Sequence, residues 1–324
     1  MISVIVPAYN AKKTIFACLS ALENQTVPRT DYEVVVIDDG STDDTVKIIE
    51  GFPKVRVISQ ENQGPAAARN KGANCAEGEI IIFTDSDCEP QPDWIEQMIA
   101  PFEREPDIAG VKGAYKTRQP EWAARFVQLE YEDKYDLLAQ SKYIDFIDTY
   151  AAAFRKRVFL QFGGYDTSFP VACAEDIELT YRMSSQGCKM VFNPKAIVSH
   201  THPNTFLSYF KKKYKFAYWR MLALRKNPNK ILKDSHTPQI MKLQALFLPA
   251  ILGALPFAIF LSAFRALEAF IIVAFFLSTI PFTMKAYRKD KTIGILSPIL
   301  LTARSVAQSA GIINGALHKV IMER

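Results

Sequence analysis

The sequence lacks the patterns that identify several common protein classes. Its five cysteines show no CxxC pair or other spacing typical of zinc ligands, and their odd number favours reduced thiols over a disulfide framework. No GxGxxG or Walker A pattern occurs, so the usual dinucleotide fingerprint and phosphate-binding loop are both missing. With 49% hydrophobic residues over 324 positions, the composition excludes a disordered or collagen-like chain and favours about two folded domains.

Acidic residues are missing from one long segment. Residues 209–233 contain nine lysines and arginines and no aspartate or glutamate, although the whole chain has a net charge of only +5. The remainder of the chain is therefore net acidic. Because the basic segment directly precedes an apolar one, it is predicted to face anionic lipid head groups rather than nucleic acid.

Charged residues are missing from two runs closer to the C-terminus. Residues 243–264 carry no charge, and as a helix they would extend about 33 Å, comparable with the ~30 Å apolar core of a bilayer. Residues 269–284 form a second uncharged run, and the helix is predicted to cover 267–284 with Glu268 at the membrane interface. The short link between the two runs predicts a helical hairpin. The alternative, a buried hairpin of a soluble domain, is less favoured because no amphipathic segments remain to cover it.

Residues 292–320 are a weaker candidate for a membrane helix, because Arg304 lies near their centre. An arginine in the middle of the membrane is costly unless it is paired, so this helix is predicted to span, to re-enter or to lie in the interface. Basic residues flank the hairpin and place its two ends on the cytoplasmic side. The sequence thus predicts a multi-pass protein of the cell membrane with its N-terminal domain in the cytoplasm.

Short apolar strands alternate with helices in the first hundred residues. Strands are predicted at residues 2–6, stopped by Pro7, and at residues 33–37, 55–59 and 79–84. Strands that are apolar throughout are typical of a parallel sheet covered on both faces. The predicted class is therefore α/β, with a mostly parallel sheet flanked by helices, and ligands are expected at the carboxyl ends of its strands.

Paired carboxylates follow two of these strands. Asp85 and Asp87 can aim at one divalent cation from an extended turn, although the same pattern is common in solvated turns with capping acids. Asp38 and Asp39 can accept hydrogen bonds from a nucleotide base or ribose. Helix capping accounts for Ser41 but does not require both aspartates.

Three further groups of residues are candidates for chemistry. Arg69 lies in a helix of small residues, where it would meet a phosphate or simply face solvent. Glu175 and Asp176 open a helix, where acids are favoured by the helix dipole, but Asp176 would also serve as a general base. His200 and His202 follow an apolar strand and are candidates either for a metal contact or for ordinary polar surface.

Six motifs occur in one order along roughly residues 1–203, which is far more specific than any one of them. They are VIVPAYN (4–10), VIDDGS (36–41), NQGPAAARN (62–70), DSD (85–87), GGYD (163–166) and ED (175–176). In this order and spacing they resemble the inverting glycosyltransferases of family 2, which have the GT-A fold. The resemblance implies a nucleotide-diphosphate sugar donor that is bound with Mg²⁺ or Mn²⁺.

The resemblance also implies roles for individual residues. Asp176 resembles the catalytic base, and Asp85, Asp87 and His200 resemble the metal-binding residues, with His202 as a second choice for the histidine. The donor side would be formed by seven residues: Pro7, Tyr9, Asn10, Asp38, Asp39, Arg69 and Asp85. The acceptor side would be formed by three residues: Gly164, Glu175 and His202.

Several alternatives remain open at this level. A lipid-linked or surface-glycan acceptor is expected, with a polyprenyl-phosphate monosaccharide synthase as the alternative. A membrane-attached nucleotidyltransferase and a non-catalytic scaffold with a degenerate transferase domain are less favoured, and the sequence gives no indication of the oligomeric state. YWR at 218–220 is not the QxxRW motif usual in the processive branch, which argues against a polymerase. The predicted boundaries are a catalytic domain at 1–203, a basic juxtamembrane segment at 204–239 and a membrane region at 240–324.

Overall fold

The computed structural model describes residues 1–169, 174–230, 234–235 and 237–322, without the side chains of 318–322. The chain divides into two compact units, and each is described by itself. The first unit comprises three segments: Met1–Arg118, Tyr135–Thr201 and Ala223–His236. The second unit also comprises three segments: Gln119–Lys134, His202–Leu222 and Thr237–Arg324.

The first unit is built on a sheet of eight strands. In chain order the strands are β1 (Ile2–Ala8), β2 (Tyr32–Asp38), β3 (Val55–Ser59), β4 (Ile80–Phe83), β5 (Cys88–Pro90), β6 (Ile108–Lys116), β7 (Ala152–Arg155) and β8 (Lys189–His200). Their order across the sheet is β3-β2-β1-β4-β7-β6-β8-β5. The β3-β2-β1-β4 half is parallel, as is the β6–β8 pair, whereas β7 and β5 run antiparallel to their neighbours.

One predicted strand end is wrong. Pro7 was expected to stop the first strand, but β1 continues through Pro7 to Ala8. The reason lies in the register, because β4 pairs only with Ile2 to Ile5 while β2 pairs along the whole of β1. Pro7 therefore lies beyond the ladder with β4, at a strand end, where a missing N–H group is tolerated.

Helices follow most of the strands. In chain order, within the described residues, they are α1 (Ile15–Glu23), α2 (Thr45–Ile49), α3 (Pro65–Cys75), α4 (Trp94–Arg104), α5 (Trp122–Leu138), α6 (Lys156–Gln161), α7 (Glu175–Ser185), α8 (Phe206–Lys226), α9 (Gln239–Ala258), α10 (Ser262–Lys289) and α11 (Lys291–Met322). Gly72 brings α3 directly onto the sheet, since a Cβ atom there would lie 2.3 Å from Ile5 Cγ2. This close packing holds α3, which carries Arg69, against β1.

The second unit is helical. Two of its helices, α9 and α10, are long and apolar enough to cross a membrane. Many of their large apolar side chains are exposed, with Phe257 of α9 53% and Phe270 of α10 69% accessible. An exposed apolar surface of this kind marks contact with a membrane or with another protein.

The helix ends of the hairpin differ from the predicted ones. The first apolar run was expected to be helical over 243–264, but α9 covers Gln239–Ala258 and α10 starts at Ser262. Leu261 is extended, so the chain turns inside the charge-free run. Hydrophobicity reports the environment of a segment and does not mark where its backbone turns.

Candidate functional site

The loops after β1 and β2 are joined by Asn10. Its backbone is in the left-handed region, with φ of 49°, which asparagine tolerates better than most residues. Its side-chain oxygen accepts a 2.8 Å hydrogen bond from the Thr42 backbone N–H, and its own N–H donates to Ser41 Oγ at 2.9 Å. Tyr9 beside it is half exposed. Tyr9 and Asn10 therefore lie at the carboxyl end of the parallel strands, where a ligand was expected.

Asp38 and Asp39 are both buried at the end of β2. Asp38 caps the following turn by accepting from the Ser41 N–H at 3.1 Å. Asp39 accepts hydrogen bonds from the backbone N–H groups of Gln63 and Gly64, both at 2.9 Å. Asp39 thus holds the loop that leads into α3, in addition to the nucleotide contact predicted for it.

Arg69 is fully enclosed and bridges two carboxylates. Its Nη2 lies 2.7 Å from Asp85 Oδ1, and its Nη1 lies 3.1 Å from Glu175 Oε1. Glu175 is as buried as the arginine, whereas Asp85 is partly exposed. Arg69 therefore ties the end of β4 to the start of α7. The sequence suggested a phosphate partner for this arginine, and its two protein partners were not foreseen.

A possible metal site lies where β5 meets β8. Asp87 Oδ1 is 3.6 Å from His200 Nδ1, and the Cys88 sulfur is also 3.6 Å from that nitrogen. The candidate ligand atoms of all three residues lie within 4.8 Å of one another. A carboxylate and an imidazole fit Mn²⁺ or Mg²⁺ better than a thiol does. The sequence identified Asp87 and His200 but missed Cys88, which faces His200 in the β5–β8 pairing.

Asp85 forms an ion pair with Arg69 in this structure. It was predicted to bind the metal together with Asp87, but its Oδ1 pairs with Arg69. Asp85 and Asp87 belong to the same short turn, so both remain at the carboxyl end of β4. Its assignment as a metal ligand remains a prediction.

The ring of His200 is held by two tyrosines. Tyr150 stacks parallel to it with centroids 5.8 Å apart, and Tyr115 stacks on it at 5.3 Å. The Tyr150 hydroxyl donates to Asp148, which is also paired with the buried Lys112. Burial lowers the pKa of Lys112, although Asp148 opposes the change. This network was not predicted from the sequence, because its members are widely separated along the chain.

Asp176 lies in the first turn of α7. Burial, followed by the charges of Glu175 and Asp148, raises the pKa of its carboxyl group well above the ordinary value. Its Oδ1 accepts a 2.7 Å hydrogen bond from the Ile177 N–H. A carboxylate with a raised pKa is a better proton acceptor, which is the property that a general base requires.

Gly164 allows the turn before α7 to lie close to Asn70 of α3. Gly163 and Gly164 both have positive φ, and a Cβ on Gly164 would lie 2.4 Å from Asn70 Oδ1. Asn70 in turn accepts from the Tyr165 N–H and donates to the Tyr165 carbonyl. The glycine pair therefore allows this turn to close on α3.

The two candidate histidines, His200 and His202, belong to different units of the chain. His200 ends β8 in the first unit, whereas His202 belongs to the second unit. There His202 stacks on Tyr131 and its Nε2 lies 3.2 Å from Gln128 Oε1. Of the two predicted choices, His200 is the one that lies beside Asp87.

The N-terminal half of the chain is similar to known glycosyltransferases. Residues 3–162 match the model of glycosyl transferase family 2. Glycosyltransferase AglE of Haloferax volcanii is 40% identical over 104 residues, which cover 31% of this chain and 34% of that protein. The putative glycosyltransferase EpsH of Bacillus subtilis is 41% identical, over 33% of this chain and 32% of the relative. The chain thus matches only about a third of the length of these relatives.

A more distant relative extends further along the chain. A dolichyl N-acetyl-alpha-D-glucosaminyl phosphate glycosyltransferase of Methanococcus voltae is 24% identical over 71% of this chain and 76% of its own length. Among solved structures, the mannosyltransferase PcManGT from Pyrobaculum calidifontis, in complex with GDP-Man and Mn²⁺, has a TM-score of 0.60. It is 20% identical and is matched over 100% of this chain and 88% of its own. This likeness confirms the predicted GT-A fold class, and the family match identifies residues 3–162 as a glycosyl transferase family 2 domain.

Proposed function

We propose that the protein is a membrane-attached inverting glycosyltransferase, which transfers a sugar from a nucleotide diphosphate to a lipid-linked or surface-glycan acceptor. One observation carries the proposal. Arg69 links Asp85, at the end of β4, to Glu175, the neighbour of Asp176. The candidate metal-binding turn and the candidate base are therefore parts of one connected site.

The metal and the donor would lie at the carboxyl ends of β1, β2 and β4. Asp87 and His200 would hold Mn²⁺ or Mg²⁺, with Asp85 beside them. The bound cation would stabilise the negative charge that develops on the leaving nucleotide diphosphate. Asp38 and Asp39 would contact the nucleoside from the neighbouring loop. The neighbour from Pyrobaculum calidifontis, which was crystallised with GDP-Man and Mn²⁺, supports this assignment.

Asp176 would act as the base. Its carboxylate accepts the proton of the acceptor hydroxyl while that oxygen attacks the anomeric carbon and the bond to the nucleotide diphosphate breaks. Attack from the face opposite the leaving group inverts the configuration, and no covalent intermediate with the protein forms. The raised pKa of Asp176 suits this role, because proton transfer is most efficient when the pKa of the base lies near the working pH.

The acceptor is best sought among lipid-linked sugars. Two relatives are named for dolichyl-phosphate substrates: the Methanococcus voltae protein and a glucosyl-dolichyl phosphate glucuronosyltransferase of Haloferax volcanii, 26% identical over 61% of this chain. The exposed apolar surface of α9 and α10 supports attachment to the membrane that holds such acceptors. A polyprenyl phosphate is the alternative acceptor, in which case the protein makes the lipid-linked monosaccharide itself.

The basic residues of the hairpin bear on its orientation. Lys242 lies near the start of α9, and Lys285 and Lys289 lie near the end of α10. By the positive-inside rule these ends would face the cytoplasm, where nucleotide sugars are available. We therefore propose a cell-membrane protein whose first unit works on the cytoplasmic side.

A donor screen tests the function. The detergent-solubilised protein is incubated with UDP-, GDP- and dTDP-sugars, with and without Mn²⁺, and release of the nucleotide diphosphate is measured. Metal-dependent release with one donor class is expected. If no donor is turned over, with or without the metal, the transferase proposal is wrong and a non-catalytic scaffold becomes the better interpretation.

A further inference from the structure

A cavity of about 300 Å³ lies within the second unit. Its wall combines apolar side chains with charged ones from α5, α10 and α11. The charged lining residues are Glu130, Asp133, Lys134, Lys285 and Arg304. This volume is at the lower end of the range for ligand pockets, so it suits a head group rather than a whole lipid.

The acids of the cavity are already neutralised by neighbouring cations. The buried Glu130 lies 3.0 Å from Arg304 Nη1 and 2.8 Å from Lys213 Nζ. Asp133 lies 2.7 Å from Lys285 Nζ. The lining thus has one more cation than anions, and Lys213 behind Glu130 adds another positive charge.

Lys134 differs from the other two cations of the lining, Lys285 and Arg304, which are each paired with an acid. Within the part of the chain that the structure describes, its ammonium forms no ion pair. The Lys134 Nζ atom lies 5.7 Å from the centre of the Tyr131 ring. Burial, and then the charge of Lys213, lowers its pKa to about 7; Arg220 and Arg304 act in the same direction, and Glu130 opposes the change. An anion in the cavity would stabilise the charged ammonium.

Arg304 offers a second donor. Its guanidinium is about nine-tenths buried and donates to Glu130 and Gln244, but among the described residues its Nε–H has no hydrogen-bond partner. Buried N–H groups of arginine are normally satisfied, because an unmade hydrogen bond to a charged group is costly. A bound oxyanion is the kind of group that a planar arginine and a lysine recognise together.

The cavity also lies at the charged end of the helical hairpin. Only residues 259–261 separate α9 from α10, so the start of α9 and the end of α10 meet at the same end. The cavity is lined by Gln244 from the first half of α9 and by Lys285 from the last turns of α10. In a membrane-attached protein this end lies at the depth of the lipid phosphates.

We propose that this cavity binds the phosphate group of a membrane lipid, with Lys134 and Arg304 as its main donors. The inference rests on the proposed membrane attachment and does not require that the first unit be catalytically active. Two lipids share this chemistry: an isoprenyl phosphate of the acceptor type, and an ordinary anionic phospholipid.

The test uses the full-length protein in neutral detergent and farnesyl phosphate as the probe, with binding followed by native mass spectrometry. Lys134→Gln is expected to weaken binding about tenfold, since a hydrogen bond to a charged group is lost. Lys134→Arg keeps the charge and is expected to bind within about threefold of the wild type, which separates loss of charge from misfolding. Lys215→Gln is the matched control, because Lys215 is an exposed lysine of α8 in the same unit.

The outcomes separate the possibilities. If Lys215→Gln weakens binding as much as Lys134→Gln, the probe is attracted only by surface charge and the proposal is wrong. It is also wrong if inorganic phosphate competes as well as the lipid, or if farnesol binds equally well. Competition by phosphatidylglycerol supports the site and assigns it to bulk lipid, whereas its failure to compete assigns the site to an isoprenyl phosphate. Nucleotide release by the first unit, measured on the same variants, reports the proposed function separately.

Discussion

Arg304, near the middle of the last helix, donates a 3.0 Å hydrogen bond to the buried carboxylate of Glu130. A charge in such an apolar helix is tolerated only when it is paired, and here the partner comes from α5, 174 positions away in the sequence. Lys213 and Tyr209 of α8 approach the same carboxylate. Glu130 thus connects three helices of the second unit, and the cost expected for Arg304 is offset by a partner that local patterns do not reveal.

Removal of the Glu130 charge is predicted to destabilise the second unit. Glu130→Gln leaves Arg304 and Lys213 close together without their carboxylate, and breaking a buried ion pair in this way costs about 3–5 kcal/mol. Thermal unfolding of the detergent-solubilised protein measures the effect. Glu132→Gln, on the same helix, removes a partly exposed glutamate that is paired with Lys289 and is expected to change stability by less than about 1 kcal/mol. Equal effects of the two changes would contradict the role of Glu130.

Gly311 is predicted to be required for the packing of α11 on α8. A Cβ atom at Gly311 would lie 2.4 Å from the Tyr214 carbonyl oxygen and 2.9 Å from Ala217 Cβ. Gly311→Ala is therefore expected to lower the melting temperature, with a cost of about 1–3 kcal/mol from overpacking.

Gly253→Ala provides the control for this change. Gly253 also lies inside a helix, but a Cβ atom there would meet nothing within 4 Å. Alanine has the higher helix propensity, so this variant is expected to be as stable as the wild type or more stable by about 1 kcal/mol. If the two alanine variants unfold at the same temperature, α8 and α11 do not pack as closely as the structure shows.

The metal assignment is tested by Asp87 and His200. Asp87→Asn and His200→Ala are each expected to reduce Mn²⁺ affinity by about 10–100-fold, because each removes or weakens one ligand. Cys88→Ser is expected to have little effect, since Mn²⁺ prefers oxygen and nitrogen ligands to sulfur. Electron paramagnetic resonance of free Mn²⁺ in a titration of the full chain measures all three. A loss with Cys88→Ser comparable to that with His200→Ala would show that the thiol is a ligand.

Features formed by neighbouring residues could be predicted from the sequence, whereas contacts between residues far apart in the sequence could not. The apolar strands, the acidic turn at Asp85–Asp87 and the apolar hairpin are all patterns of neighbouring residues, and each is present in the structure. The pairing of Cys88 with His200 depends on β5 lying beside β8, which no local pattern specifies. The grouping of residues 119–134 with the C-terminal helices is equally distant in sequence. A truncation after Asp234 would therefore remove the α10 and α11 members of the apolar cluster that contains Phe126 and Tyr209.

The pH dependence of transfer is predicted to follow Asp176. Because burial and nearby acids raise its pKa, the carboxyl group stays protonated at pH values where an ordinary aspartic acid, with a pKa of about 4, is already ionised. Only the ionised form can accept the proton of the acceptor, so kcat/KM is expected to rise with pH through a limb well above pH ~4. Asp176→Asn should lower transfer by about 10²–10⁴-fold and remove this limb. Nucleotide binding, followed by calorimetry, should persist in the variant, and its loss would show that Asp176 supports the donor site rather than the proton transfer.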